Sequence, residues 1–180
     1  MKFFVKLIVV LATIVALFFV VALFVDDSFK VEKSKTIQVN HQVAFDYISN
    51  LKNQKDFGAW FDLDPKMKIW YEGNPGEVGS KVCWKSKNKE IGRGEEEIIR
   101  IQDGKRIDFK LRIFEPEPME AELYMETKPL KEETTKIIWA LNGEISYPWN
   151  IILLFNDVSA EIVDDLEKGL ENLKPILEKR

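Results

Sequence analysis

The sequence predicts an α+β fold of the helix-grip class, with a curved antiparallel sheet of about seven strands around one long C-terminal helix and one transmembrane helix before them. Three observations predict it. Six segments between residues 67 and 141 alternate apolar and polar side chains, as strands with one dry and one wet face do. Apolar residues recur every three or four positions over residues 158–177, and an uncharged apolar run stands near the N-terminus.

The apolar run begins at Leu7 and ends at Val25. As a helix it would span roughly 28 Å, close to the hydrocarbon thickness of about 30 Å. A cleaved signal peptide is the alternative, but the apolar core of such a peptide is about 7–15 residues long. We therefore favour a single-pass membrane anchor with a short linker, residues 1–28. Lys2 and Lys6 favour a cytoplasmic N-terminus, with the following domain on the outer side.

The elements after the anchor follow one another closely. Residues 31–39 predict a first strand, and Asn40 is suited to cap the helix of about ten residues that comes next. Residues 53–60 predict a second short helix. The six alternating strands follow at residues 67–71, 82–84, 95–101, 107–113, 121–125 and 137–141. In the last helix, Gly169 costs about 1 kcal/mol relative to alanine, so we expect it to permit a close approach of backbones.

The composition excludes several classes of function. Of 180 residues, 26 are basic and 30 acidic, and the net charge of -4 offers no excess to neutralise a nucleic acid backbone. A single cysteine, Cys83, and a single histidine, His41, exclude a cysteine-based zinc cluster and poly-histidine metal sites. Gly92-Arg93-Gly94 lacks the third glycine of a nucleotide-binding loop. We expect no cofactor, no metal and no nucleic acid partner.

A curved sheet and a single helix do not always fill the space between them, so this arrangement favours an apolar internal cavity. The dry faces nominate its lining: Trp84, Ile99, Phe109, Leu111, Leu123, Met125, Ile137 and Trp139, opposed by Ile162 and Leu166. The alternative is that these side chains form a filled core. The predicted mouth of the cavity comprises Trp60, Asp62, Trp149 and Phe155.

Four stretches resemble one known family, the polyketide cyclase/dehydrase family of the START-like (SRPBCC, Bet-v-allergen-like) superfamily. They are Ile37-Gln38-Val39-Asn40 with Val43-Ala44-Phe45-Asp46-Tyr47-Ile48; Trp60-Phe61-Asp62-Leu63-Asp64-Pro65; Tyr71-Glu72-Gly73 through Gly79-Ser80, Trp84 and Gly92-Arg93-Gly94; and Tyr147-Pro148-Trp149-Asn150 with Lys168-Gly169-Leu170-Glu171-Asn172-Leu173-Lys174. The resemblance covers residues 29–180, which we take as one domain. It implies the helix-grip fold and a ligand cavity, and it transfers no catalytic residue to this chain.

Two further segments need an interpretation. Glu95, Glu96 and Glu97 are consecutive in a predicted strand, so they point to opposite faces, and we expect a solvated strand rather than a cation site. Residues 147–155 form an apolar connection before the last helix. This connection would plug the cavity, or it would form a mobile lid or a surface that dips into the adjacent membrane.

Three functions are compatible with these features. The first is a membrane-anchored binding module for an apolar or amphipathic small molecule, for example a lipid. The second is an enzyme of the cyclase or dehydratase type, with polar groups such as Asp62, Tyr124 or Asn142 assisting proton transfer. The third is an envelope scaffold with a solid core. The sequence favours the binding module because the domain would lie beside the bilayer.

Overall fold

The computed structural model describes residues 2–155 and 158–180, with the backbone alone at residues 158, 159 and 161. Its helices are α1 Lys2–Ala22, α2 His41–Ser49 and α3 Val158–Leu177, and its short 3₁₀ helices are η1 Leu51–Asp56, η2 Ala59–Leu63 and η3 Trp149–Leu154. Its strands are β1 Ser28–Ile37, β2 Lys68–Glu72, β3 Lys81–Lys85, β4 Arg93–Gln102, β5 Arg106–Glu115, β6 Met119–Lys131 and β7 Thr134–Glu144. The predicted helix-grip class and its strand count are confirmed.

The seven strands form one antiparallel sheet in the order β1-β7-β6-β5-β4-β3-β2. The sheet curves around α3, and we call the face toward α3 the inner face. Most of the buried hydrophobic residues of the domain belong to one cluster between this face, α2, η1, η2 and α3. The opposite, outer face carries most of the charged side chains of the strands, because successive residues of a strand point to opposite sides.

α3 covers the inner face with one apolar stripe, as the helical repeat predicts. Leu166, Leu170, Leu173 and Leu177 are all buried. The helix runs alongside the edge strand β1 in the same direction, and ion pairs at 2.7 Å (Lys33 to Glu167) and 3.3 Å (Lys35 to Glu171) join the two elements. These exposed pairs orient the helix more than they stabilise it.

Gly169 lets other parts of the chain approach the backbone of α3 closely. They are a side chain and a backbone carbonyl. A Cβ atom at this position would lie 2.6 Å from the ring of Trp139 and 3.4 Å from the carbonyl oxygen of Phe57. Both neighbours belong to the buried cluster, so the missing side chain lets the indole of Trp139 reach the helix backbone. Glycine lowers the stability of a helix, but a larger residue at this position would leave no room for the ring of Trp139.

The local signals before the sheet are mostly confirmed. Asn40 caps α2, and its side-chain oxygen accepts a hydrogen bond from the backbone N–H of Gln42 at 3.0 Å. The second short helix differs from the prediction, because residues 53–60 fall across two 3₁₀ helices, η1 and η2, with Gly58 between them.

The strand β4 contains the main departure from the predicted pattern. Ile98 pairs with Phe109 and Arg100 pairs with Asp108, so Ile99 is an extra residue in a β-bulge. Ile99 is 40% exposed. The prediction that Ile99 faces the interior is therefore wrong, because the bulge shifts the alternation of the strand by one residue.

The helix α1 stands apart from the core. Among the described residues it is the one helix that is long and apolar enough to cross a membrane, a test that a signal sequence also passes. Its side chains are exposed except near its end, where Ala22 is buried. We call the end of the sheet that holds Ser28 and Glu144 the α1 end, because β1 begins there shortly after this helix.

Candidate functional site

The centre of the inner face is filled by aromatic side chains. Trp139 is 1% exposed, and its ring lies 5.6 Å from that of Phe57 and 5.8 Å from that of Trp60, measured between centroids. The structure thus places Trp60, a predicted mouth residue, against the core rather than at an opening. Packing of this kind makes the centre of the domain a solid core.

The predicted lining residues fall into three groups. Seven of them are buried in the common core cluster: Trp84, Phe109, Leu123, Met125, Ile137, Trp139 and Leu166. Leu111 and Ile162 are half-buried and pack against that cluster. Ile99 lies outside it, as described above.

Several half-buried apolar side chains of the inner face lie at the α1 end. The pairing register places Phe29, Gly143, Ala121, Leu111, Glu96, Val82 and Tyr71 side by side across the seven strands. We call this set the Glu96 row. Phe29 and Leu111 in the row, Ile113 beyond it and Ile162 on α3 are all partly exposed. The inner face is therefore incompletely covered at this end.

Glu96 is the one acidic residue of the Glu96 row, and it is buried with 2% of its surface exposed. Its carboxylate accepts a hydrogen bond from Nε2 of Gln54, which is itself 1% exposed. Burial raises the pKa of Glu96 to about 7, and the hydrogen bond from Gln54 opposes part of that rise. Among the described residues no lysine or arginine forms an ion pair with Glu96, because Arg112 and Lys81 pair with its neighbours on the outer face.

Two polar atoms near this pair have no hydrogen-bond partner. Oε1 of Gln54 and the hydroxyl of Tyr71 are both buried and unpartnered. Burial raises the pKa of Tyr71, and the charge of Asp56 raises it further. A buried unpaired polar atom costs about 1–3 kcal/mol, so these two groups are available to a bound molecule that offers the complementary donor or acceptor.

The expectation that residues 95–97 form a solvated strand is wrong for Glu96. Glu95 and Glu97 do point outward, where each accepts a hydrogen bond from Arg112, at 2.9 and 2.7 Å. The residue pattern alone leaves the side of the central residue undecided. Counting by twos from Ile98 toward the start of the strand places Glu96 inward, whereas counting from Ile99, across the bulge, places it outward.

The predicted mouth residues lie in separate places. Asp62 is exposed and borders a pocket of about 400 Å³ between α3 and the segment from η1 to η2, whose lining is Lys55, Asp56, Phe57, Gly58, Asp62, Glu171, Asn172, Pro175 and Ile176. Trp149 and Phe155 belong to the region of η3 and are 71% and 79% exposed. These residues do not form one opening, since η3 contacts the end of α1 instead.

A larger depression, of about 680 Å³, lies on the outer face near the α1 end. Its lining is mostly polar: Ser28, Phe29, Lys30, Lys110, Glu120, Ala121, Glu122, Asn142, Gly143 and Glu144. Asn142 therefore lies outside the interior. The same holds for Tyr124, whose hydroxyl donates a hydrogen bond at 2.6 Å to Glu32. Asp62, Tyr124 and Asn142, the three polar groups named for proton transfer, lie in separate places, and Tyr124 and Asn142 are on the outer face.

The described residues offer little other site chemistry. They contain no group of three or more His, Cys, Asp or Glu side chains that could hold a metal ion. Cys83 is buried on the face opposite to Trp84, and burial raises the pKa of its thiol to about 11. A thiol with so high a pKa is a poor nucleophile at neutral pH.

No family model matches the chain, and no curated protein matches it. Solved structures with a similar fold include a protein from Nitrosospira multiformis, at 15% identity over 83% of this chain and 96% of that one, with a TM-score of 0.60. Ara h 8.0201 matches at 11% identity over 85% and 99%, with a TM-score of 0.59. A norcoclaurine synthase point mutant from Thalictrum, in complex with a transition-state analogue, matches at 10% identity over 84% and 95%, with a TM-score of 0.60.

These similarities show that the domain shares its fold with those structures. At identities of 10–15% they show the fold and no more. The polyketide cyclase subfamily is not confirmed by them.

Proposed function

We propose that this chain is a membrane-anchored helix-grip domain that binds an apolar or amphipathic small molecule, for example a lipid, at the α1 end of its inner face. One observation carries the proposal. At that end, the buried pair of Glu96 and Gln54 shares the inner face with half-buried apolar side chains, and one of these, Leu111, lies directly opposite Glu96 on the neighbouring strand. Small-molecule sites in proteins have this composition, a largely apolar lining with a few placed polar groups.

The anchor in this proposal is α1. Its 21 residues would extend roughly 31 Å as a helix, which matches the hydrocarbon thickness of a bilayer. We take residues 1–28 as anchor and linker and residues 29–180 as the binding domain. The lysines before the apolar run favour a cytoplasmic N-terminus, and the domain then stands on the outer side of the membrane.

The proposed ligand would be held by two kinds of contact. Its apolar part would cover Leu111, Ile113 and Ile162, and each 100 Å² of apolar surface removed from water would contribute about 2.5 kcal/mol. Its polar part would pair with the free Oε1 of Gln54 or the hydroxyl of Tyr71, which removes the cost of leaving those atoms unpaired.

Native mass spectrometry of the full chain tests this proposal. The protein is produced in its host, kept in mild detergent micelles and compared with the denatured chain. We expect a reproducible bound mass that solvent extraction removes. An extracted chain that takes up none of a panel of lipids and aromatic probes would contradict the proposal and would favour the third function, a scaffold with a solid core.

A pair of matched variants locates the site. Ile113→Gln places a polar side chain among the half-buried residues of the α1 end, and we expect it to reduce binding of the extracted mass at least tenfold. Ile99→Gln is the control, because Ile99 is exposed in the bulge of β4. Equal binding by both variants would place the ligand elsewhere on the protein.

A second candidate is an enzyme of the cyclase or dehydratase type, the activity suggested by the polyketide cyclase resemblance. One observation favours it, since a buried carboxyl group whose pKa is about 7 is suited to general acid–base catalysis near neutral pH. Glu96→Gln separates the two candidates. In an enzyme this variant loses turnover of the identified ligand but keeps binding, whereas in a binding module no turnover exists in either protein.

A further inference from the structure

A group of exposed apolar side chains lies beside the end of α1. Residues 145–155 contain no charged side chain. Five large apolar side chains among them are exposed, and we call this set the η3 surface: Tyr147, Trp149, Ile152, Leu154 and Phe155. Among them Trp149 and Phe155 are the most exposed, at 71% and 79%. Soluble surfaces seldom collect large apolar groups in this way, so such a patch marks a contact with a partner or a membrane.

The η3 surface is joined to α1 by specific hydrogen bonds. Asn150, which is 2% exposed, donates from Nδ2 to the carbonyl oxygens of Ala22 at 2.9 Å and Val25 at 2.7 Å. Ala22 is the last residue of α1 and Val25 lies three residues beyond it, so neither carbonyl accepts a hydrogen bond from the helix backbone. The ring of Tyr147 also lies 6.3 Å from that of Phe19. The surface is therefore held at one level along the helix axis.

That level is the expected boundary of the bilayer. If α1 spans the hydrocarbon, its last residue, Ala22, lies at one edge, and Asp26 and Asp27 lie in the water beyond it. Leu23 and Phe24, 67% and 86% exposed, continue the apolar surface from the helix toward η3. Tryptophan and tyrosine are enriched at this depth because their rings are apolar and carry a polar group.

We propose that the η3 surface is a second membrane contact, inserted in the interfacial layer of the bilayer that α1 spans. This inference rests on the proposed membrane anchor and deepens it. The two contacts together hold the domain with the α1 end of its inner face toward the lipid. An apolar ligand then passes between the bilayer and the half-buried residues of that end without crossing water. The exposed side chains of the η3 surface argue against the expectation that residues 147–155 plug the interior.

Quenching of tryptophan fluorescence by brominated lipid tests the inference. All five tryptophans lie outside α1, and Trp149 is the one that belongs to the η3 surface. The full chain is reconstituted into phosphatidylcholine vesicles with and without bromine on the acyl chains. We expect bromine to remove about one fifth of the emission, the share of one tryptophan in five.

Three variants identify the quenched residue. In Trp149→Phe the loss of emission should disappear, whereas Trp70→Phe, on the opposite edge strand β2, should leave it unchanged. Phe155→Trp adds a second ring to the η3 surface and should roughly double the loss. Quenching that persists in Trp149→Phe would overturn the inference.

Washing the vesicles with alkaline carbonate separates this inference from the proposal on which it rests. Protein that the wash releases would overturn the spanning role of α1 and the η3 contact together. Protein that stays on the vesicles, with Trp149 unquenched, would overturn the η3 contact alone. If Trp149 is unquenched, the Phe155→Cys variant would identify what covers the η3 surface instead. Its cysteine would form a crosslink to a second copy of the chain or to another protein.

Discussion

The stability of this domain should fall as the pH rises from about 5 to 8, because of Glu96. The carboxyl group is buried without a cation, and its pKa rises from an ordinary value of 4.5 to about 7 in the folded protein. The folded state therefore binds this proton more tightly than the unfolded state does. The stabilisation is complete below pH 4.5 and is lost as the pH passes through 7.

The size of the effect follows from the shift of the pKa. One unit corresponds to about 1.4 kcal/mol, so the change from 4.5 to about 7 corresponds to about 3 kcal/mol of unfolding free energy. A protonated Glu96 can also donate its O–H to Oε1 of Gln54, which has no partner in the structure. This second hydrogen bond is lost when Glu96 is deprotonated, which contributes to the loss of stability.

The perturbation is Glu96→Gln, which keeps the shape of the protonated side chain and carries no charge at any pH. We expect this variant to match the natural protein within about 1 kcal/mol at pH 5 and to exceed it by about 3 kcal/mol at pH 8. Glu122→Gln is the control, because Glu122 is exposed on the outer face.

The assay is urea unfolding of the full chain in nonionic micelles, followed by tryptophan emission at several pH values. Measurements stay above pH 5, since the pKa values of the ion-paired carboxyl groups of Glu97 and Glu167 are lowered and their titration lies below that window. Unfolding free energies of the natural protein and of Glu96→Gln that run parallel from pH 5 to 8 would refute the reasoning. That result would mean that the charge of Glu96 is compensated in the folded state.

Three further outcomes follow from the structure. Gly169→Ala should lower the unfolding free energy by about 1–3 kcal/mol, although alanine has the better helix propensity, because the added Cβ would lie 2.6 Å from the buried ring of Trp139. Equal or higher stability in urea unfolding would contradict this packing. Asn150→Ala should speed hydrogen exchange and protease cleavage between α1 and β1 severalfold, because it frees the carbonyls at the end of α1; unchanged rates would show that Asn150 does not hold η3 there. Cys83 should resist iodoacetamide at pH 8 until urea unfolds the domain, because its pKa of about 11 leaves it protonated; rapid alkylation of the folded protein would contradict its burial.

Much of the fold was predictable because its signals are local. Alternation with a period of two located the six later strands, and the apolar repeat located α3. Asn40 was recognisable as a helix cap because capping depends on a residue and its neighbours within a single turn. The boundary of the second short helix was less predictable, since 3₁₀ segments have weak sequence preferences and are shaped by what they pack against.

The candidate site was predicted less well than the fold. Buried lining residues such as Phe109 and Trp139 were placed correctly on the inner face by alternation alone. Ile99 and Glu96 were both misplaced by the same feature, the bulge in β4, which no residue pattern announces. A bulge is defined by how β4 pairs with β5, so it is a property of the assembled sheet.

The sequence by itself determined the class of this protein: an apolar N-terminal helix, an antiparallel sheet and one long amphipathic helix over it. These follow from periodicity and composition, which any stretch of chain expresses without reference to distant residues. The tertiary structure decided which acidic residue of β4 is buried, and it placed Asn150 on the carbonyls of Ala22 and Val25, more than a hundred residues earlier in the chain. Burial and partnership of this kind depend on elements that meet only when the sheet closes around α3, so the site exists only in the folded chain.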